Sequence, residues 1–220
     1  MTKVSVIVPA YNEEKTIATT LMTLKNQPWV DEVIVVNDGS TDQTRTLSDF
    51  YGDQTIHFEE NKGKGAALQA GWKQASGDII VCVDADLEES VAEAKKLIEP
   101  FQYSFIDSVI GRLPLQRTRG FGIVKERAKK IIYQQTGKWI TAPLSGQRAF
   151  RKKWVSLLTK KSYYGFGVET AMTIDMLKAG ATIIEVDTNI THRATGKDVA
   201  GFFHRGKQWI ELEVATWRNM

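Results

Sequence analysis

The chain predicts an α/β fold: a mostly parallel central sheet with helices on both faces. Three observations carry this. Apolar runs of strand length recur at Val4–Val8, Val33–Val36 and Ile79–Val83, unbroken rather than alternating, as parallel strands buried on both faces read. Between them lie segments with apolar residues at helical spacing, and no Pro/Gly-rich linker interrupts the alternation. The polar clusters fall where a strand ends or a helix begins, the edge at which open α/β sheets bind ligands.

Val4–Val8 is the first strand, and Glu13–Asn26 the first helix, with Ile17, Leu21 and Leu24 at helical spacing. Val33–Val36 is the second strand. Asn37-Asp38-Gly39-Ser40 makes a turn into a helix from Thr41 to about Tyr51. A short strand, Thr55–Phe58, leads through Asn61-Lys62-Gly63-Lys64-Gly65 to a helix over Ala66–Ala75. Ile79–Val83 follows, then a helix from about Ser90 to Phe101. The second half is less regular. Val109–Gly111 reads as a short strand, Val124–Gln135 as an amphipathic basic helix, and Pro143-Leu144-Ser145-Gly146 as a break. A helix at Glu169–Ala179, a strand at Thr182–Asp187 and a final helix from Asp198 to Trp217 complete the chain.

At 220 residues this reads as one domain with a core that needs neither disulfides nor structural metal. The 42% hydrophobic and 25% charged content is that of a soluble globular protein rather than a disordered or membrane-spanning one. The single cysteine, Cys82, excludes an internal disulfide and lies within an apolar strand, which predicts inert burial. A net charge of +3 gives no reason to expect nucleic acid as a partner. A strand begins after three residues, leaving no room for a signal peptide, and no apolar run approaches the roughly 18 residues of a membrane span. These features predict a cytoplasmic protein, with attachment to the inner face of a membrane left open.

Ile80-Val-Cys-Val-Asp84-Ala-Asp86 is an apolar strand ending in two carboxylates one residue apart. Their oxygens suit Mg²⁺ or Mn²⁺, and such an ion can bridge a diphosphate and neutralise a departing nucleotide. A carboxylate capping the next helix is the commoner fate of a lone Asp-x-Asp, so the neighbouring loops matter. Pro9-Ala10-Tyr11-Asn12-Glu13-Glu14 presents a ring, an amide and carboxylates at a helix start. That suits a nucleobase, while Asn12 also suits a helix cap. Asp38 is placed to accept hydrogen bonds from a base or ribose, with Ser40 or Thr41 as the cap. Asn61-Lys62-Gly63-Lys64-Gly65 offers N–H groups, two cations and a helix amino terminus, the ingredients of an anion site. It lacks P-loop spacing and the Gly-x-Gly-x-x-Gly fingerprint, and an ordinary surface turn is the alternative.

Together, Val-Ser-Val-Ile-Val-Pro-Ala-Tyr-Asn-Glu-Glu, Val-Ile-Val-Val-Asn-Asp-Gly-Ser-Thr-Asp, Asn-Lys-Gly-Lys-Gly-Ala-Ala-Leu and Val-Asp-Ala-Asp-Leu resemble the nucleotide-sugar-binding half of the GT-A glycosyltransferases, in particular glycosyltransferase family 2. The resemblance covers roughly residues 3 to 90. It implies one GT-A domain over 1–220, with a nucleotide-sugar half at 1–105 and an acceptor half with a C-terminal helix at 106–220. Pro9, Ala10, Tyr11, Glu13 and Asp38 would then hold the nucleotide. Lys64 would lie near base or phosphate, Asp84 and Ala85 beside the donor, and Asp86 on the metal.

In the second half Glu169 follows Tyr163-Tyr-Gly-Phe-Gly-Val168 at a helix start, where a first-turn Glu is favoured by the dipole whatever its role. Asp175 and Asp187 are the other carboxylates nearby. His192, in Asn189-Ile-Thr-His192-Arg193-Ala-Thr-Gly196, can complete a carboxylate site for Mn²⁺. His204 competes with it, and His57 in an early strand reads as structural. Gly111-Arg112, Pro143-Leu-Ser145-Gly146, Tyr164-Gly-Phe-Gly-Val-Glu169 and Thr191-His192-Arg193 resemble the glucosyl-3-phosphoglycerate and mannosyl-3-phosphoglycerate synthases, a retaining GT-A group. This implies Arg112, Thr118, Ser145 and Gly146 for an anionic acceptor, Glu169 for catalysis or sugar contacts, and His192 for metal. The chain departs from that group at Gln147-Arg148-Ala149, where those synthases carry an acidic, aromatic pair, and it is shorter. Family 2 as a whole inverts, so the stereochemical outcome stays open.

The reading is a metal-dependent glycosyltransferase with a UDP-sugar donor. Asp86 and His192 hold Mg²⁺ or Mn²⁺, Arg193 supports the leaving group, and Glu169 acts near the acceptor. A nucleotidyltransferase, whose Gly-rich start is absent here, and a non-catalytic nucleotide-sugar-binding protein are the rivals. Arg112, Arg117, Arg119, Lys125, Arg127, Lys129 and Lys130 make the middle of the chain basic. Phe202, Phe203, Trp209, Ile210 and Trp217 suit packing on the core, a homodimer interface or a membrane face. The acceptor is left open among a small phosphorylated acid, a polyprenyl phosphate and an envelope polymer.

Overall fold

In the computed structural model, residues 2–114, 121–163 and 167–192 are described. The unbroken apolar runs form the middle of a seven-stranded sheet. Its strands are β1 (Val4–Ala10), β2 (Glu32–Asp38), β3 (Gln54–Phe58), β4 (Ile79–Cys82), β5 (Ser108–Arg112), β6 (Arg148–Arg151) and β7 (Ile183–Asp187). They lie in the order β3-β2-β1-β4-β6-β5-β7. Every pairing is parallel except those of β6, which runs against both β4 and β5. The chain leaves β1 for β2 on one side and returns to β4 on the other, which opens a crevice beyond the carboxyl ends of β1 and β4. Because β6 is reversed, the loop entering it reaches that same edge.

Alternation along the strands sorts the core into two faces. Val4, Val6 and Val8 of β1 join Val33, Val35, Ile79 and Val81. Over them pack Ile17, Leu21 and Leu24 of helix α1 (Ile17–Lys25) and Val91, Ala94 and Leu97 of a 3₁₀ segment, Glu88–Leu97. Ile7, Ile34, Ile80 and Cys82 face the other way, onto Leu68 and Trp72 of α3 (Lys64–Gln74) and Met172 and Met176 of α6 (Val168–Lys178). Trp72 meets Phe150 of β6 edge to face, with ring centroids 5.6 Å apart. A third cluster joins Ile110 to Ala128, Ile131 and Ile132 of α4 (Phe121–Thr136). Helices α2 (Thr44–Tyr51) and α5 (Val155–Leu158) complete the helical layers.

The mostly parallel sheet expected from the sequence is present, with three local departures. The first helix begins at Ile17 rather than Glu13. Asn12 adopts a positive φ of 56°, so the chain turns before it can wind. Residues 88–102 form 3₁₀ turns rather than an α-helix; Glu88 enters at φ 49°, and a second 3₁₀ stretch, Glu99–Gln102, carries Pro100 in its first turn. Strand β6 was not expected from Arg-Ala-Phe-Arg. The buried Cys82 thiol is pushed up to about 12, chiefly by burial, and accepts from Trp72 Nε1 at 3.2 Å, in keeping with an inert role. His57 bridges Asn37 and Asp49 as a structural residue. The expected final helix over 198–217 lies outside the described residues. Among the described residues no helix is long and apolar enough to cross a membrane.

Candidate active site

Two turns beyond the sheet edge bring three ligand-bearing side chains together. After β4 the chain passes through Asp84, the buried Ala85 and Asp86. Thr20 of α1 fixes this turn, donating to the Ala85 carbonyl at 2.9 Å and accepting from the Glu88 N–H at 2.9 Å. After β7 the chain is tied to the same region, because Ser90 Oγ donates to the Thr191 carbonyl and accepts from its N–H. The next residue, His192, therefore lies with Nδ1 3.0 Å from Asp86 Oδ1 and Nε2 3.9 Å from Asp84 Oδ2. One ligand atom from each of Asp84, Asp86 and His192 lies within 4.8 Å of the others. Two carboxylates and an imidazole at that spread fit Mn²⁺ or Mg²⁺ with open positions for diphosphate oxygens. Burial pulls the His192 pKa down, but the hydrogen bond it donates to Asp86 and the charge of Asp84 outweigh it and hold the imidazole above its ordinary value.

Beneath this cluster lies a charged network. Lys64, the first residue of α3, places Nζ 2.6 Å from Asp84 Oδ1 and 2.9 Å from Glu169 Oε1. Glu169 stands in the first turn of α6 and is almost fully buried. Arg148, also buried, reaches the Ser145 carbonyl with Nε and Nη2 and the Glu169 carbonyl and Thr173 Oγ1 with Nη1. Gln147 donates to Asp84 Oδ2 at 2.6 Å. Burial disfavours the Asp84 carboxylate, yet Lys64 and the neighbouring donors win and keep its pKa below the usual carboxylate range.

Gly146 lies against this network so closely that a Cβ there would stand 2.6 Å from Lys64 Nζ and 2.9 Å from both Asp84 oxygens. Gly146→Ala is therefore expected to push the ion pair apart at a cost of about 1–3 kcal/mol. On a chain of this length that is a melting temperature lower by roughly 2–12 °C, read by scanning calorimetry.

The other expected donor residues line the neighbouring edge. Pro9 and Ala10 are the last residues of β1, registered beside Val36 and Asn37, and Tyr11 beyond them is 47% exposed. Asn12 and Glu13 are tied to the loop after β2. Asn12 Oδ1 accepts from the Thr41 N–H, and the Glu13 N–H donates to Thr44 Oγ1. The Glu13 carboxyl is raised to about 7, by burial first and then by the charge of Asp86. Asp38 accepts the N–H groups of Lys62 and Gly63 at 2.7 and 2.9 Å, organising the turn before α3. Gly63 has a φ of 89°, which that turn requires and most side chains resist.

Arg112, expected from the sequence to meet an acceptor, forms a two-pronged pair with Asp187 at 2.7 and 2.9 Å. Ser145 is buried, its hydroxyl exchanging hydrogen bonds with the Gln147 backbone. Thr118, Arg193, His204 and residues 164–166 lie outside the described residues. Asp84, Asp86, His192, Lys64, Glu169 and Gly146 thus meet in one place. Thr20, Gln147 and Arg148 share it without having been singled out as site residues. For the last two, the available signal was their place directly after Ser145-Gly146, where the chain departs from the synthases it resembles.

Comparison with known proteins gives three findings. The glycosyl transferase family 2 model matches residues 5–158. A glucosyl-3-phosphoglycerate synthase from Petrotoga mobilis is 30% identical over 215 residues, covering 86% of this chain and 65% of the relative. An undecaprenyl-phosphate 4-deoxy-4-formamido-L-arabinose transferase from Pectobacterium atrosepticum is 30% identical over 171 residues, covering 71% and 51%. The chain thus spans less than two thirds of either relative. The crystal structure of glucosyl-3-phosphoglycerate synthase from Mycobacterium tuberculosis with Mn²⁺, UDP and glucosyl-3-phosphoglycerate superposes at a TM-score of 0.77 and 28% identity, covering 98% of this chain and 80% of that one.

Proposed function

Since the chain belongs to glycosyl transferase family 2 and shares the GT-A fold of its structural neighbours, we propose that it is a metal-dependent glycosyltransferase moving a sugar from a UDP-sugar to a phosphate-bearing acceptor. The observation that carries this reading is the meeting of Asp84, Asp86 and His192 at the carboxyl edge of the sheet. The likeness to a synthase crystallised with Mn²⁺ and UDP supports the choice of donor. Residues 1–105 form the donor half and 106–220 the acceptor half.

Asp86 and His192 hold Mn²⁺ or Mg²⁺, which supplies charge neutralisation at the departing diphosphate. Asp84, kept ionised by Lys64, adds its negative field to the cluster without a proton to lose. The Pro9–Glu13 turn and Asp38 shape the nucleotide side, with the exposed Tyr11 ring offered to the base. Glu169 is held in one orientation by Lys64 near the reacting sugar. Arg193 supports the leaving group, and Arg112 with Thr118 and the Ser145–Gly146 turn receives the acceptor's phosphate.

A thermal-shift panel of UDP, GDP, dTDP and ADP, each with and without Mn²⁺, tests this. UDP at about a hundred times its dissociation constant is expected to add about 2.7 kcal/mol, or roughly 5–11 °C, and only with metal. Equal shifts for all four nucleotides without metal would sink the proposal.

The metal-linked gain also carries a pH sign. The His192 imidazolium, whose folded-state pKa is raised, stabilises the metal-free protein below its unfolded value near 6.5. That contribution fades as pH rises through the raised value. Mn²⁺ needs the neutral ring, so its stabilisation is expected to grow over the same interval; a metal-induced shift independent of pH between 6 and 8.5 counts against His192 as ligand.

A second acceptor class, a lipid phosphate, rests on a different observation. Ile123, Tyr133 and Trp139 are each more than half exposed along or just beyond α4, with Tyr133 and Trp139 in ring contact at 5.8 Å. Lys125, Lys130 and Lys138 flank them, a pairing of aromatic and basic groups suited to an anionic bilayer surface. Transfer to undecaprenyl phosphate in vesicles, and none to 3-phosphoglycerate in solution, selects this class and its membrane setting.

A further inference from the structure

Resting on that function, we infer that Gln147 is a positioning residue that sets the place of Asp84 in the metal cluster. Gln147 has no exposed surface and lies one residue before the ladder in which Arg148 pairs with Cys82 and Ile110. Its amide makes two bonds to one residue: Nε2 donates to Asp84 Oδ2 at 2.6 Å, and Oε1 accepts from the Asp84 backbone N–H at 3.2 Å. Main chain and carboxylate of Asp84 are thus clamped together. The residue's own backbone is fixed in turn, because its carbonyl accepts the Gly111 N–H at 2.8 Å.

The clamp decides what Asp84 can do. Its Oδ1 is engaged by Lys64 and its Oδ2 by Gln147, leaving Oδ2 3.9 Å from His192 Nε2. A carboxylate held at both oxygens keeps one orientation toward an incoming cation, while Asp86 is hydrogen-bonded to the other ring nitrogen of His192. A neutral amide suits this place for a definite reason. It supplies one donor and one acceptor without adding a fourth negative charge beside Asp84, Asp86 and Glu169. An acid at 147 would match the amide only when protonated. This gives the departure at Gln147 a role within the site.

The test uses the full chain as wild type, Gln147→Leu and Gln147→Glu, with folding checked by circular dichroism. Two measurements are made: calorimetric titration of UDP in the presence of Mn²⁺, and the pH profile of UDP-sugar turnover at saturating Mn²⁺. Gln147→Leu is expected to weaken the metal-dependent UDP affinity by about 10–100-fold, the usual range for loss of a partner behind a metal site. Gln147→Glu is expected to approach wild-type turnover at the acid end and to lose it as pH rises, because the ionised carboxylate cannot donate to Asp84 and repels it. A merely structural role lowers activity without bending the profile. A leucine variant with wild-type affinity, or a glutamate variant whose profile runs parallel to wild type, overturns the inference and leaves the proposed function standing. A wild-type chain that binds no UDP with Mn²⁺ overturns both.

Discussion

Asp86→Asn is expected to reduce sugar transfer at saturating donor and Mn²⁺ by roughly a thousandfold or more while the protein stays folded. Asparagine keeps the shape of the side chain and an oxygen that can accept from His192 Nδ1, the single hydrogen bond Asp86 makes in the described structure. What it removes is the charge. A cation at a departing diphosphate contributes several kcal/mol of transition-state stabilisation, and about 4 kcal/mol is a factor near a thousand. Asp86 is partly exposed and its side chain is bonded to no backbone group among the described residues, so the melting temperature should move by no more than a few degrees. The substitution leaves a second trace. Asp86 is the largest charge holding Glu13 up toward its value of about 7, so that carboxyl should titrate lower in the variant. Wild-type turnover in Asp86→Asn would remove the metal from the mechanism.

Lys64→Met is expected to act on stability first. The variant removes the cation that faces both Asp84 and Glu169. Glu169 keeps only about a twentieth of its side-chain surface in solvent. Breaking such a pair from one side costs about 3–5 kcal/mol because the partners remain buried and uncompensated. For a chain of this size the melting temperature should fall by roughly 6–20 °C. The deficit has a predictable pH dependence. In the wild type the depressed Asp84 pKa contributes stability that is present above its unfolded value and lost as pH falls through the folded one. In the variant burial acts on Asp84 without the lysine to oppose it, so that carboxylate takes up a proton more readily when folded than when unfolded. Lowering the pH toward 5 should therefore narrow the gap between the two proteins. A constant gap from pH 8 to 5 would mean that the lysine acts by packing alone.

How much of this was legible in the sequence depended on whether the cause was local. The runs Val4–Val8, Val33–Val36 and Ile79–Val83 declared buried parallel strands, and the polar turns after them declared the sheet edge. Asp84, Asp86 and His192 were readable because their chemistry and placement each pointed to a cation. The anion reading of the Lys62–Gly65 turn illustrates the limit. Both lysines counted there as free cations, yet Lys64 turns inward to Asp84, twenty residues on, and to Glu169 on a different helix. No spacing rule reports a pairing made by the fold. Strand β6 was hidden for a related reason. A strand opening with a buried arginine has no apolar run, and Arg148 is tolerated only because the Ser145 and Glu169 carbonyls satisfy it. Gln147 inherits its importance from that unseen strand. The late start of the first helix, at Ile17 rather than Glu13, turned on the positive φ of Asn12, a conformation that asparagine accepts but does not announce.

The reversed strand also sets a timetable for synthesis. β4 is complete once Cys82 has been made, yet its partner on the open side begins only at Arg148. At roughly 5–20 residues per second the ribosome needs about 3–13 s to deliver that partner. Throughout that interval the row of backbone N–H and C=O groups along Ile79–Cys82 is an unfilled edge of four apolar residues, the kind of template that captures strands from other chains. The turn that delivers β6 also brings Gly146 and Gln147 against Asp84, while Glu169 and His192 follow later in the chain. The open edge is thus closed by the same few residues that clamp Asp84.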